Sequence, residues 1–148
     1  MENKSTSDDK CKNLEFIQGV INRLSSNAFL FKGWFITIIG AVATAMLTTE
    51  NYNLLWLIFG TVLLFWFIDA YYLMLERCYC KLFSQVAKTD AEKITYDMNV
   101  QPFISFTAWY SAFRRPVMLM FYGVVLLVLA GFMVGNYFDI SVTIKLKE

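Results

Sequence analysis

Histidine is absent from this sequence, which removes the side chain that most often acts as a general base, a haem ligand or a pH switch. Cysteine is scarce as well: without histidine, Cys11, Cys78 and Cys80 are too few for a four-ligand zinc site. The patterns G-x-x-x-x-G-K-[ST], G-x-S-x-G and H-E-x-x-H do not occur. We therefore predict that the protein is not an enzyme and that it holds neither a metal nor an organic cofactor.

Charge is nearly balanced, since 13 basic and 12 acidic residues leave a net charge of +1 at pH 7. This balance gives no general attraction to nucleic acid. Apolar residues make up 57% of the sequence and aromatic residues 18%, both above what a soluble domain of this size usually carries. The composition therefore favours a protein that works in or against a membrane.

Three apolar stretches are long enough to cross a bilayer, and they cover residues 28–49, 54–75 and 117–138. Each has about 22 residues and would extend about 33 Å as a helix, slightly more than the hydrocarbon thickness. The third stretch contains no charged residue and has no polar face, unlike an amphipathic helix of a soluble protein. The predicted fold is an all-α membrane protein with three transmembrane helices, an N-terminal amphipathic helix and a cytoplasmic helical segment.

The segments outside these stretches also have helical patterns. Apolar side chains recur at helical spacing between Asn13 and Leu24, which predicts an amphipathic helix that lies in the membrane interface or packs against the mouth of a helix bundle. Residues 76–98 contain neither proline nor glycine, so the second helix should continue through them. A short aromatic helix should follow Pro102 and end where Pro116 begins the third apolar helix.

The basic residues predict the orientation of the chain. They are concentrated before the first stretch and between the second and third, while the link 50–53 has none. Because the cytoplasmic loops of membrane proteins carry an excess of lysine and arginine, the N-terminus should lie in the cytoplasm and the C-terminus outside. The predicted segments are a cytoplasmic leader (1–27), a transmembrane hairpin (28–75), a cytoplasmic helical segment (76–116), a third transmembrane helix (117–138) and a short outer tail (139–148).

Two charged residues interrupt the first and second stretches. Lys32 and Asp69 each lie a few residues from the predicted cytoplasmic end, so the hairpin should place them at similar depth. Charges within a membrane segment are costly and usually face protein or water. One interpretation is an ion pair between these two side chains, or a lysine that reaches the interface alone. The other is a cation-attracting vestibule lined by Asp69 and by Glu76, two turns further along the helix.

One face of the first stretch carries only small and hydroxyl side chains. They recur at helical spacing and are Gly33, Thr37, Ala41, Thr44 and Thr48. Around a central axis such a stripe could line a narrow path in which threonine oxygens contact a passing ion. Alternatively, the stripe marks close helix packing, with the hydroxyls bonded back to backbone carbonyls. Both interpretations place this face against protein.

Two further sets of residues point to association and to ligand binding. In the third stretch, Gly123, Gly131 and Gly135 lie near one face and permit close helix packing between copies. On the cytoplasmic side, the candidate residues for binding a nucleotide signal are Arg23, Tyr110, Arg114 and Arg115. Aromatic faces beside guanidinium groups can stack on a base and pair with phosphate. The alternative is an interfacial helix whose arginines meet lipid phosphates.

The runs FIQGVINRLSSNAFLFKGW and FWFIDAYYLMLER, at 16–34 and 65–77, resemble small bacterial membrane effectors of antiphage defence, in particular those of the Hailong type. The resemblance implies an oligomeric membrane channel, expected to be tetrameric, in the bacterial inner membrane. It also implies that a nucleic-acid signal from a partner nucleotidyltransferase holds the channel closed. Release of that signal would depolarise the infected cell.

The residues and the resemblance together predict an oligomeric ion channel that acts in antiphage defence and is gated from the cytoplasm by a nucleotide or short oligonucleotide. The alternative is a non-conducting membrane anchor or scaffold that holds a soluble partner through residues 76–116.

Overall fold

The structure is a computed structural model that describes residues 2–93 and 97–145, with side chains placed over 7–93 and 97–135. Its elements are α1 (Glu2–Thr49), α2 (Leu54–Lys88), α3 (Phe106–Phe113) and α4 (Pro116–Lys145), with short 3₁₀ turns at Ala91–Lys93 and Gln101–Phe103. No strand occurs among the described residues, so the all-α prediction is confirmed. By length and composition, α1, α2 and α4 can each cross a membrane, as predicted.

The helices α1 and α2 form a long antiparallel hairpin. The link 50–53 reverses the chain at Glu50, whose φ of 52° lies in the left-handed region. Contacts along the pair confirm the direction, since Lys32 meets Asp69 and, further from the link, Lys10 meets Ala87. At about 1.5 Å per residue α1 is about 72 Å long, so the hairpin extends well beyond one bilayer thickness.

The apolar core is divided along the hairpin into two parts. The core nearer the link, called the hairpin core here, joins α1, α2 and α4 through Phe35, Met46, Leu55, Ile58, Val62, Trp66, Met118 and Tyr122. The core further from the link, called the terminal core here, joins α1, α2 and the 97–112 segment through Ile17, Ile21, Met74, Cys78, Leu82, Val86, Val100 and Ala112. The leader and the apolar stretch therefore belong to one continuous helix with a core at each level.

The second helix ends at Lys88, so the prediction that it continues through Met98 was wrong in its last part. Thr89 adopts an extended conformation, and its hydroxyl donates to the carbonyl of Gln85. Threonine and aspartate bond readily to nearby backbone and favour helix ends over helix interiors. The Lys10 ammonium closes this end by donating to the carbonyls of Ala87 and Thr89 at 3.0 and 2.7 Å. Residues 94–96 lie outside the described part of the chain.

The third and fourth helices begin with clear capping signals. The hydroxyl of Ser105 accepts a hydrogen bond from the backbone of Ala108 and starts α3. Pro116 occupies the first turn of α4, where its missing N–H costs nothing. The backbone of α4 continues helically to Lys145, so most of the predicted outer tail is part of this helix, and 146–148 are not described.

Candidate functional site

A buried ion pair joins α1 to α2. Lys32 Nζ lies 2.8 Å from Asp69 Oδ1 and 2.6 Å from Oδ2. The Asp69 side chain is only 1% exposed, whereas that of Lys32 is 25% exposed. A carboxylate removed from water is stable only when charged or hydrogen-bonding partners replace the solvent, and Lys32 supplies the opposite charge. Of the arrangements considered from the sequence, the structure contains the ion pair.

Tyr122 of α4 completes this site, and the sequence analysis did not identify it. Its hydroxyl donates to Asp69 Oδ2 at 3.1 Å and also lies 3.4 Å from the carbonyl oxygen of Phe65. The ring is fully buried. Lys32, Asp69 and Tyr122 form the polar cluster, to which α1, α2 and α4 each contribute one side chain. A tyrosine within the uncharged stretch 117–138 was the available signal, because a buried hydroxyl needs a partner.

Aromatic rings enclose the polar cluster on the side of α3. Trp66 stacks on Tyr122 with ring centroids 5.7 Å apart and on Phe113 at 4.4 Å, in both cases with an interplanar angle of 9°. The Trp66 indole N–H donates to the carbonyl oxygen of Phe113 at 3.2 Å. Phe35 packs edge-on against Tyr122 at 5.2 Å. The rings therefore cover the cluster on this side, and Trp66 contacts both Tyr122 and the last residue of α3, Phe113.

Glu76, the third residue of the predicted vestibule, does not join the cluster. It lies on α2 two turns beyond Asp69, about 10 Å along the helix axis. It is half-buried and forms no ion pair with any described residue. Within a single chain, therefore, no contact joins Glu76 to Asp69, and the vestibule stays a prediction.

The predicted pore-lining stripe of α1 is exposed along its whole length, from Gly33 to Thr48. The hydroxyl of Thr37 donates to the carbonyl of Gly33, and that of Thr44 to the carbonyl of Gly40. Thr48 bonds back to the helix in the same way. Counted at 100° per residue, the stripe lies about 180° around α1 from the face that carries Phe35 and Met46. The stripe therefore points away from the chain's own core.

The glycines of α4 are likewise not used in packing within the chain. Gly131 and Gly135 are exposed and Gly123 is half-buried. A Cβ built on any of them would meet nothing within 4 Å. Their predicted role in packing between copies stays a prediction.

The four candidate signal-binding residues do not form one site. Arg114 and Tyr110 are neighbours: the guanidinium donates to the phenol oxygen at 3.3 Å and lies 5.6 Å from the ring centroid. Arg115 is exposed beside them. Arg23 lies on α1 along a groove with Phe16 and Met98, and it makes no hydrogen bond or ion pair with the other three among the described residues. The fold thus brings Tyr110 of α3 together with the two arginines that directly follow α3, without Arg23.

The cysteines occupy different environments outside the apolar stretches. Cys78 belongs to the terminal core, where its thiol donates to the carbonyl of Phe103 at 3.4 Å and burial raises its pKa. Cys80 is exposed as a residue, but partial loss of water around its thiol and, second, the nearby carboxylate of Glu76 raise its pKa. Across the described residues, no three side chains of the kinds that bind metals come together as a metal site.

Comparison with known proteins finds no match: no family model, no curated protein and no solved structure is significantly similar to the chain.

Proposed function

We propose that this protein crosses the bacterial inner membrane three times, assembles into a homo-oligomer and conducts ions along the stripe of α1. Its N-terminus would lie in the cytoplasm and its C-terminus in the periplasm. The observation that carries the proposal is the position of the stripe, opposite the packed face of α1 and exposed from Gly33 to Thr48. In an assembly with α1 towards the axis, this face would line the path without any rearrangement of the chain.

The polar cluster supports this arrangement by fixing the rotation of α1. Lys32 can reach Asp69 only from one side of the helix, and that side lies opposite the stripe. Each copy would therefore enter the assembly with Thr37, Thr44 and Thr48 already turned outward. Because these side chains are already ordered in each chain, no further conformational entropy is lost when they line the path.

The threonine hydroxyls suit either water or a neighbouring helix. Each donates its proton to a carbonyl of its own helix, so no donor is left unsatisfied. The hydroxyl oxygen nevertheless keeps a lone pair that can contact a cation or a water molecule. This combination supports a narrow path of moderate polarity and does not require a fixed charge within it.

Control from the cytoplasm is the second part of the proposal. The terminal core holds the first half of α1 against α2 and the 97–112 segment, and Phe113 then connects α3 to Trp66 beside the polar cluster. A nucleotide or short oligonucleotide bound at Tyr110, Arg114 and Arg115 would act on this connection. The resemblance to antiphage effectors adds the expectation of a tetramer and of a partner nucleotidyltransferase that supplies the ligand.

The test is membrane potential in bacteria that express the chain, followed with a voltage-sensitive dye. We expect depolarisation with the natural sequence and its loss with Thr44→Leu. Thr61→Leu is the matched control, because Thr61 lies on α2 and makes the same type of hydroxyl bond, to the carbonyl of Leu57. Equal depolarisation by both variants would contradict the pore assignment.

A non-conducting anchor or scaffold is the second candidate. It is favoured by the terminal core, which organises a helical surface beyond the apolar stretches without any need for a pore. An anchor would leave the membrane potential unchanged in every variant and would retain a soluble partner through residues 76–116. Co-purification of a neighbouring gene product, lost on deletion of α3 but unaffected by Thr44→Leu, would support this candidate over the channel.

A further inference from the structure

A groove of about 370 Å³ lies between α2 and α3, on the side of the polar cluster away from the hairpin link. Arg77 and Lys81 of α2 and Ser111 of α3 supply its polar groups, while Met74 and Ala108 contribute apolar surface. Over the described ranges no acidic side chain lines this groove. It is separate from Tyr110, Arg114 and Arg115, which line no part of it.

The charges in the groove have no partner within the described chain. Arg77 and Lys81 are one helical turn apart on α2, where like charges repel, and neither forms an ion pair with a described residue. Glu76 precedes Arg77 directly and so projects about 100° away around the helix. The hydroxyl of Ser111 also makes no hydrogen bond in this part of the structure. Two cations and a free hydroxyl together match the ligands of a phosphate group.

The position of the groove indicates where the phosphate would come from. Arg77 follows Asp69 by eight residues, about 12 Å along the axis, just past the apolar stretch 54–75. Towards the link, the same side of α2 carries exposed Leu63 and Phe67. A molecule that carries both a phosphate and a hydrocarbon chain could pair its phosphate with the cations of the groove and cover this apolar surface with its chain.

We propose that the groove binds the phosphate of an anionic phospholipid headgroup at the cytoplasmic membrane boundary. The guanidinium of Arg77 would bond two phosphate oxygens, Lys81 would add a second positive charge, and Ser111 would donate its hydroxyl. Basic pockets between membrane helices are known to hold anionic headgroups in this way. The site holds a structural lipid between α2 and α3 whether or not the assembled protein conducts ions.

The test is native mass spectrometry of the full chain released from vesicles that contain equal amounts of phosphatidylglycerol and phosphatidylcholine. We expect retained phosphatidylglycerol on the natural protein and at least about a tenfold loss of it in Arg77→Gln/Lys81→Gln, since each cation near an anionic headgroup contributes measurably. Lys12→Gln/Lys88→Gln removes the same charge elsewhere and should retain the lipid. Arg77→Lys/Lys81→Arg keeps both positive charges and should retain most of the lipid. This result would show that the loss in Arg77→Gln/Lys81→Gln comes from the missing charge.

Two outcomes would overturn the proposal. Equal retention of phosphatidylglycerol by Arg77→Gln/Lys81→Gln and by the natural protein would show that the groove is not the site. Displacement of the lipid by glycerol 1-phosphate at similar concentration would show that the groove takes a soluble phosphate ester and that the hydrocarbon chain contributes nothing.

Discussion

The hydroxyl of Tyr122 lies 3.1 Å from Oδ2 of Asp69, which ties α4 to the only carboxylate within the apolar stretch of α2. The same carboxylate holds Lys32 of α1. The uncharged stretch 117–138 of α4 is thereby fixed to the hairpin through one polar side chain, whose hydroxyl lies within hydrogen-bond distance of Asp69 and of the carbonyl of Phe65. This contact holds one face of α4 against α2, on the helix that also receives Lys32 of α1.

Replacing Tyr122 by phenylalanine removes the hydroxyl and keeps the ring. We expect a loss of about 1 kcal/mol in the free energy of unfolding, since Asp69 keeps Lys32 and the stacked rings remain. Unfolding of the purified protein in mixed detergent measures this loss. Tyr71→Phe is the control, because Tyr71 is exposed and its hydroxyl makes no bond to any described residue. Equal stability of the natural protein and Tyr122→Phe would show that the contact has no energetic role.

The ion pair should respond unequally to removal of its two partners. Lys32→Met leaves a buried carboxylate with only Tyr122, and we expect a loss of about 2 kcal/mol, discounted for the partial exposure of Lys32. Asp69→Leu should cost less, because the lysine can extend to the interface. The double variant Lys32→Met/Asp69→Leu should be more stable than Lys32→Met alone, because it no longer buries a carboxylate without its lysine. The hydroxyl of Tyr122 can still bond to the carbonyl of Phe65. Additive losses in this cycle would mean that the two charges do not interact.

The cysteines should react with a maleimide in an order set by burial. In variants that retain one cysteine each, we expect Cys11 to react quickly and Cys78, 2% exposed, to be slower by at least about tenfold. For Cys80, whose pKa is raised, the rate should increase about tenfold from pH 7 to pH 8, because the thiolate is still a minor form there. Fast labelling of Cys78 in the folded protein would contradict the terminal core.

Lys10 should protect the end of α2. In Lys10→Met the carbonyls of Ala87 and Thr89 lose their ammonium donor, and we expect faster amide hydrogen exchange over the last turn of α2, corresponding to about 0.5–1 kcal/mol of local stability. Lys12→Met is the control, since it makes no hydrogen bond to any described residue. Unchanged exchange in Lys10→Met would show that the hydrogen bonds of Lys10 do not stabilise the end of α2.

The apolar helices were predictable because run length is a local property of the sequence. The stretches 28–49, 54–75 and 117–138 all lie inside α1, α2 and α4, and the link 50–53 was correctly placed. The meeting of Lys32 and Asp69 follows from their similar distances to that link, 18 and 16 residues. The helix end at Lys88 was missed, although Thr89 and Asp90 are a local signal for it. The hydrogen bonds that Lys10 adds at this end come from another helix and are not visible in the local sequence.

The remaining parts of the site depend on tertiary or quaternary structure. Tyr122 could not be paired with Asp69 from the sequence, since the rotation of α4 is fixed only when all three helices pack. The separation of Arg23 from Arg114 likewise depends on how the 97–112 segment folds back on α2. The roles of Thr37, Thr44 and Thr48, and of the glycines of α4, concern surfaces that a single chain leaves exposed or half-buried, so they stay predictions.

Current through the purified protein in a planar bilayer tests the central claim most directly. With cysteine introduced as Thr44→Cys in a background where Cys11, Cys78 and Cys80 are serine, a cationic methanethiosulfonate reagent should reduce the current. It should leave Thr61→Cys unaffected, because Thr61 lies on α2 and away from the stripe. Absence of current, or current through Thr44→Cys that the reagent does not change, would contradict a path lined by α1.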